Sequence, residues 1–143
     1  MANLNPDVVA AFRGSPREVT LGKGTRLYRF VTERVNNVVE SPWWSDAITF
    51  NEIVRLATRT EKRLGDAARA RLAVTTEWNP EMSSMCIVAL TREAQAWKGV
   101  TRHQSLSQQD RSVLLIGGIE QLYVPNLKNS DVALLFYGPS DRL

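Results

Sequence analysis

The pattern of apolar and polar residues begins with a short helix. Asn5 is a favourable helix cap, and Pro6 fits the first turn, where its missing N–H needs no partner. The apolar run VVAAF follows, and Gly14-Ser15-Pro16 predicts its end. Residues 1–21 are therefore interpreted as an N-terminal helical segment.

A longer amphipathic helix is predicted to begin near Ser45 or Asp46, since either side chain can cap it. Apolar residues then recur at helical spacing and form one apolar face: Phe50, Ile53, Val54, Ala57 and Leu64. Gly65 is the expected end, because glycine readily adopts the left-handed conformation that closes many helices.

Strand-like runs dominate the rest of the chain. Apolar stretches of strand length are TRLYRFV (25–31), RLAVTTEWN (71–79), MCIVALT (85–91), SVLLI (112–116), IEQLYV (119–124) and DVALLFY (131–137). The stretch TREAQAWKG (91–99) is expected to hold one helical turn. Helices near the front and strands thereafter predict a single α+β domain over residues 1–143, with residues 22–143 as its core.

Arg29 interrupts an apolar strand face. Alternation along TRLYRFV places it between Leu27 and Val31. A buried guanidinium without a partner costs several kcal/mol, so Arg29 requires an anion or a carbonyl oxygen. That partner is either a carboxylate of the chain or a ligand phosphate or ribose, which suits the planar fork of arginine.

Glu120 poses the same problem on a later strand. It shares a face with Leu122 and Val124, whereas Gln121 points to the opposite face. The preceding Gly117-Gly118 pair permits a bulge or a close approach of the backbone. Glu120 is therefore either the structural partner of Arg29 or a catalytic group, and Gln121 is the reserve candidate.

Two adjacent tryptophans mark the stretch SPWWSD (41–46). Side chains of neighbouring strand residues point to opposite faces, so Trp43 and Trp44 cannot both point inward. Either both are packing residues and Ser45 is a helix cap, or the stretch supplies an aromatic wall and a hydroxyl for a flat ring such as nicotinamide or a nucleobase.

The composition restricts the chemistry available to these residues. A single cysteine, Cys86, and a single histidine, His103, exclude an internal disulfide, a cysteine-cluster metal site and a two-histidine metal site. Cys86 lies in an apolar strand and is expected to be buried and inert. We therefore expect a site without a metal and without a nucleophilic thiol.

The charge and the apolar runs bear on partners and location. The net charge of +3 is compatible with an anionic ligand, an acidic protein partner or weak RNA affinity. No apolar run reaches the length of a membrane span, so no membrane insertion is expected. The first residues lack the basic-then-apolar pattern of a secretory signal, which predicts a cytoplasmic protein or one exported without a cleaved signal peptide.

Three motifs follow one another along the chain: an early-strand arginine (LYRF), a serine after aromatic residues (SPWWS) and a late carboxylate after glycines (GGIEQLYVP). In this order they resemble the ADP-ribosyltransferase-like superfamily, particularly small bacterial toxin domains that use NAD. The likeness spans residues 24–126 and implies an ADP-ribosyltransferase-like α+β fold.

The resemblance also implies a function and roles for residues. NAD would be the substrate, Arg29 would hold its phosphates, and Ser45 would support the nicotinamide side of a cofactor site that includes Tyr28 and Trp44. The nicotinamide–ribose bond would be cleaved, either by ADP-ribosyl transfer to a target protein or nucleic acid or by NAD hydrolysis. A cognate immunity protein would be a partner of such a toxin.

The late position departs from the pattern of the family. Glu120, or Gln121 in reserve, would stand at the reacting ribose. The two residues are adjacent rather than one residue apart, so they face opposite ways. This departure weakens the case for transfer to a protein side chain more than the case for NAD binding or hydrolysis.

Two functions from other classes remain open. One is a non-enzymatic basic module that binds nucleic acid or an acidic protein through Arg55, Arg59, Lys62, Arg63, Arg69 and Arg71, although such a run is also typical of a solvated helix face. The other is an interaction protein whose SPWW stretch docks onto a partner.

Overall fold

The computed structural model describes residues 4–31, 38–39, 41–74, 82–107 and 114–140. Its helices are α1 (Pro6–Ala10), α2 (Ala47–Thr60) and α3 (Leu64–Leu72), with a 3-10 turn at Asn129–Asp131. Its strands are β1 (Phe12–Leu21), β2 (Arg26–Val31), β3 (Trp43–Trp44), β4 (Ser84–Leu90), β5 (Ala94–Thr101), β6 (Gln104–Ser105), β7 (Leu114–Leu115), β8 (Glu120–Tyr123) and β9 (Val132–Pro139). The predicted α+β class is confirmed.

The strands form two main antiparallel sheets. The first sheet has the order β1-β5-β8-β3 and the second has the order β2-β4-β9, while β6 and β7 pair with each other. A backbone bridge between Tyr28 and Ser45 joins edge strand β2 to the residue that follows edge strand β3. Both N–H···O distances of this bridge are 2.8 Å, so the two sheets are continuous at this edge.

Two apolar clusters fill the space beside the second sheet. The cluster between the sheets consists of Leu27, Trp44, Cys86, Val88, Leu90, Ala94, Ala96, Leu122 and Val124. The cluster beneath helices α2 and α3 contains Tyr28, Phe30, Ile53, Ala57, Ala67, Ala68, Leu72, Met82, Met85 and Ile119. The second sheet is therefore buried on both faces, because alternate residues of β2 and β4 enter opposite clusters.

The predicted N-terminal helical segment 1–21 is mostly a strand. Helix α1 covers Pro6–Ala10, and Asn5 caps it by accepting a hydrogen bond from the Asp7 N–H. Strand β1 begins at Phe12, whose ring covers Gly99 of β5. Gly14-Ser15-Pro16 lies inside this strand, where the pairing of β1 with β5 shifts register between Arg13 and Arg17. The turn residues therefore mark a bulge and not the end of a helix.

Helix α2 is capped as predicted but ends earlier. The Asp46 side chain accepts a hydrogen bond from the Thr49 N–H, and the helix closes at Glu61, which has a left-handed φ of 55°. Gly65 lies inside α3, pressed against the carbonyl group of Met82, so it is required for close packing rather than as a helix end.

Two further predictions about elements are corrected. The expected helical turn in 91–99 is instead the start of strand β5. Its alternate residues Ala94 and Ala96 are buried in the cluster between the sheets. A strand was also expected at 71–79. Its first residues, Arg71 and Leu72, form the end of α3, and residues 75–79 lie outside the described part of the chain. The run 112–116 contributes only Leu114–Leu115 as β7, and residues 112–113 are likewise outside it.

Among the described residues, every helix is too short or too polar to cross a membrane.

Candidate functional site

Arg29 is held by backbone carbonyl groups and an aromatic ring. Its Nη1 donates to the Ser41 carbonyl oxygen at 2.7 Å, and its Nη2 donates to the Val38 carbonyl oxygen. The guanidinium carbon lies 4.2 Å from the centroid of the Trp44 ring, which is a cation–π contact. The predicted need for a partner is thus met by carbonyl groups, and Glu120 is not in ion-pair contact with Arg29.

The buried neighbours of Arg29 include Cys86, its partner in the pairing of β2 with β4. Burial raises the pKa of the Cys86 thiol above its usual value, and the opposing charge of Arg29 does not offset this effect. The thiol is fully buried, as the sequence predicts.

The two tryptophans point in opposite directions. Trp44 is 1% exposed and belongs to the cluster between the sheets. Trp43 packs on the outer face of the first sheet against Phe12 and Tyr123, with ring centroids 5.5 and 5.0 Å away. The indole Nε1–H of Trp44 is buried and has no hydrogen-bond partner among the described residues.

Tyr28 and Ser45 are joined to each other but lie apart from the guanidinium of Arg29. The Tyr28 ring stacks on Phe50 of α2 at a centroid distance of 4.5 Å, in the cluster beneath the helices. Ser45 is 2% exposed, and its backbone forms the bridge that connects the two sheets. Of the predicted cofactor-binding residues, Arg29 and Trp44 are in side-chain contact, and Tyr28 and Ser45 are joined through their backbones.

Glu120 belongs to a charged cluster formed by Arg17, Asp46, Lys98 and Glu120. Its Oε2 lies 3.0 Å from Arg17 Nη2 and 3.9 Å from Lys98 Nζ. Lys98 Nζ also lies 2.9 Å from Asp46 Oδ2. The Glu120 side chain is 41% exposed, and its carbonyl oxygen accepts a hydrogen bond from the Thr49 hydroxyl group near the start of α2. The carboxylate is thus anchored through its backbone and accessible to solvent.

Asp46 links the charged cluster to the start of α2. Burial raises the pKa of Asp46, but the hydrogen bond from the Thr49 N–H and the ion pair with Lys98 together outweigh it, so the pKa lies below its usual value of 3.8. Asp46 therefore stays charged near neutral pH and holds Lys98 beside Glu120.

Gln121 lies on the opposite face of β8 from Glu120, as alternation predicts. Gln121 pairs with Gly99 and Glu120 pairs with Val100, so the register of β8 against β5 is regular. Gly117 and Gly118 have φ values of 67° and 84° and form the turn that leads into β8. Of the two alternatives, the close approach of the backbone is the one observed, because a Cβ on Gly117 would lie 2.8 Å from the Thr101 carbonyl oxygen. Gln121 stays on the side opposite Glu120.

Sequence reasoning missed Arg17 and Lys98 because it interpreted their segments as helical. When β1 and β5 are read as strands, Arg17 shares the inward face of β1 with Val19 and Leu21. Lys98 likewise shares the inward face of β5 with Ala94 and Ala96. Each row ends in a cation beside Glu120. Alternation in these two strands was the signal that could have found them.

The basic residues of 55–71 do not share one surface. Arg55 and Arg59 are exposed on α2, whereas Arg69 donates to the Val74 carbonyl oxygen at 3.0 Å. Lys62 and Arg63 line an open pocket of about 420 Å³ with Leu64 and Ser140. These basic residues therefore differ in exposure and in contacts.

The described residues contain no cluster of three or more histidine, cysteine or acidic side chains that could hold a metal ion. His103 is exposed, away from the buried Cys86.

Two solved structures share this architecture. Rhs1-CT, solved in complex with its cognate immunity protein RhsI1, has a TM-score of 0.62 and 18% sequence identity, and the alignment covers 96% of each chain. Tne2, solved in complex with Tni2, has a TM-score of 0.54 and 12% identity, covering 90% of this chain and 95% of Tne2. The chain has the fold of these two proteins. At such low identity the likeness concerns the fold alone.

No protein-family model matches the sequence, and no curated protein matches it significantly.

Proposed function

We propose that this chain is a bacterial toxin domain that consumes NAD by breaking its nicotinamide–ribose bond. The observation that carries the proposal is the position of Glu120. It is a solvent-accessible carboxylate at the end of the apolar layer between the sheets, on the face that also carries Leu122 and the buried indole of Trp44. The sequence resemblance supports the same interpretation, and the fold is shared with Rhs1-CT, which was solved with a cognate immunity protein.

The chemistry suits one carboxylate without a metal. When the C1′–N bond of the ribose breaks, nicotinamide leaves as a neutral molecule with the bonding electron pair, and positive charge develops on the ribose. Glu120 would stabilise that charge and orient the ribose hydroxyl groups. A water molecule then adds to C1′ and releases a proton, which gives ADP-ribose and completes the hydrolysis.

Trp44 would support the substrate site from within the apolar layer between the sheets, since it is buried and pairs with Leu122, two residues from Glu120. Its indole N–H has no acceptor among the described residues, and only an opening of this layer would bring a ligand oxygen to it. Arg29 holds the carbonyl groups of residues 38 and 41 and the Trp44 ring in place, so it would help to position Trp44. Tyr28 and Ser45 would contribute through their backbone bridge, which fixes the residue next to Trp44.

Hydrolysis is favoured over transfer. ADP-ribosyl transfer requires a second group that positions the acceptor beside the reacting ribose. Gln121, the adjacent polar residue, points to the other face of β8. Water would therefore be the main acceptor, and transfer to a target protein or nucleic acid the secondary reaction.

A release assay for nicotinamide tests the proposal. Purified protein is incubated with NAD, and Glu120→Gln is expected to lower the rate at least ~100-fold. Glu52→Gln is the matched control, because Glu52 is exposed on α2 and the chemical change is identical. A Glu120→Gln protein with the wild-type rate would overturn the assignment. Loss of activity in Gln121→Ala alone would move the catalytic role to Gln121.

An immunity partner completes the proposal. Rhs1-CT is bound to a cognate immunity protein, and its fold is shared by this chain. We expect expression of the wild-type domain to arrest bacterial growth, and Glu120→Gln to relieve the arrest. Growth arrest that persists in Glu120→Gln with unchanged NAD content would argue for a different toxic activity.

A further inference from the structure

Two guanidinium groups converge on Gly118, two residues before Glu120, and neither belongs to the charged cluster. Arg13 extends from β1, and Arg71 extends from the end of α3. The Nη2 atoms of Arg13 and Arg71 lie 3.7 and 4.0 Å from the point that a Cβ atom on Gly118 would occupy. A side chain at position 118 would enter the gap between them, and the backbone there has a φ of 84°, which favours glycine.

The chain supplies no counter-charge for this pair among the described residues. Arg13 makes no hydrogen bond or ion pair there, and Arg71 Nη2 donates to the Gly118 carbonyl oxygen at a long 3.4 Å. The nearby carboxylates of Glu120 and Asp46 are already paired with Arg17 and Lys98. Two positive charges that converge on one point repel each other, so an anion at that point is favoured.

Both arginines start from anchored backbone. The end of α3 is fixed by two hydrogen bonds: Gly117 N–H to the Ala70 carbonyl oxygen at 2.9 Å, and the Thr101 hydroxyl group to the Arg71 carbonyl oxygen at 2.8 Å. Arg13 pairs with Val100, and Val100 pairs with Glu120. Arg13, Val100 and Glu120 therefore form a row on one face of the first sheet, and little reorganisation is needed to bind an anion.

We propose that Arg13 and Arg71 bind a phosphate group of the substrate across Gly118, next to Glu120. This inference rests on the proposed function. Gly118 stands two residues before Glu120, in the turn that leads into β8. A phosphate held there is close to the ribose that Glu120 contacts, so we assign it as the 5′-phosphate of the ribose that loses nicotinamide. The site thus takes the phosphate role that the sequence resemblance implies for Arg29.

A pair of ligands that differ only in this phosphate tests the site. Nicotinamide mononucleotide carries the 5′-phosphate, and nicotinamide riboside lacks it. Binding is measured by calorimetry in the Glu120→Gln background, so that no turnover interferes. We expect Arg13→Ala to weaken binding of the mononucleotide about tenfold or more and to leave binding of the riboside unchanged. Arg71→Gln is expected to do the same.

Arg55→Ala is the matched control, since it removes one exposed arginine from α2 without touching this surface. Equal affinities for the mononucleotide in Arg13→Ala, Arg71→Gln and Arg55→Ala would overturn the phosphate site. An RNA oligonucleotide that loses affinity in Arg13→Ala, while the mononucleotide does not, would also overturn it in favour of a nucleic-acid site.

The outcomes separate this inference from the proposed function. Arginine-dependent binding of the mononucleotide by a wild-type protein that never releases nicotinamide from NAD would keep the phosphate site and reject the activity. Full release of nicotinamide with an unchanged KM for NAD in Arg13→Ala would keep the activity and reject the phosphate site.

Discussion

Arg29 and Glu120 lie on different sheets, each among apolar neighbours, and their surroundings differ. The Arg29 guanidinium is enclosed by two carbonyl groups and the face of Trp44. The Glu120 carboxylate is 41% exposed and is balanced by Lys98 of the neighbouring strand β5 and by Arg17 of β1, one strand further away. The first group is fixed by the protein itself, whereas the second remains open to a ligand.

This difference shows that a polar residue on an apolar face has no single meaning. In the sequence alone, Arg29 and Glu120 have the same need for a partner, and each is a candidate partner for the other. The fold satisfies them separately, so Arg29 is expected to contribute mainly to stability and Glu120 mainly to activity. Stability measurements on variants at both positions test this difference.

Replacing Arg29 is expected to have the largest effect on stability. Arg29→Met keeps an apolar stem but leaves the carbonyl groups of residues 38 and 41 without their donor, so the free energy of unfolding should fall by about 2–4 kcal/mol. Urea denaturation measures it. Arg26→Met, at an exposed position of the same strand, is the control. Glu120→Gln should change stability by less than about 1 kcal/mol, and equal losses at both positions would remove the contrast.

Asp46 is expected to give an intermediate effect because it both caps α2 and pairs with Lys98. Asp46→Ala should lower the free energy of unfolding by about 1–2 kcal/mol, whereas Asp46→Asn should lose less, because asparagine also caps helices.

The pH dependence of the same residue has a definite sign. The pKa of Asp46 is lowered in the folded protein, so its stabilising contribution is present above the usual value of 3.8 and is lost as the pH falls through the lower folded value. Unfolding curves recorded from neutral to acid pH should therefore show a smaller acid-induced loss of stability in Asp46→Asn. An identical pH dependence in wild type and variant would contradict this assignment.

Arg17 is expected to give the smallest effect. Its side chain is 63% exposed, so the ion pair with Glu120 is screened by solvent, and Arg17→Ala should cost less than about 0.5 kcal/mol. Thermal unfolding at low and high salt measures this. A loss that is large and insensitive to salt would show that the charged cluster is structural, like the surroundings of Arg29.

Much of the fold was predictable where alternation was read correctly. The α+β class, the face of β2 that carries Arg29 and the Asp46 cap of α2 all follow from local pattern. The opposite directions of Glu120 and Gln121 follow from the same alternation. These features depend on the period of a strand or on the first turn of a helix, which are properties of adjacent residues.

Other features depend on contacts between distant residues. The strand Phe12–Leu21 looks helical at its start, and its identity is decided by pairing with β5. The partners of Arg29 are carbonyl groups, which carry no signature in the side-chain sequence. The convergence of Arg13 and Arg71 on Gly118 joins residues from the first strand and the end of α3, so only the folded chain reveals it.

The bridge between Tyr28 and Ser45 also affects how the protein avoids self-association. By joining β2 to the end of β3, it covers the facing edges of the two main sheets and leaves β1 and β9 as their outer edges among the described strands. Each outer strand is irregular: β1 shifts register between Arg13 and Arg17, and β9 shifts register beside the exposed Leu134 and Leu135. Such irregular edges are poor templates for an added strand, so the two sheets are protected against edge-to-edge aggregation.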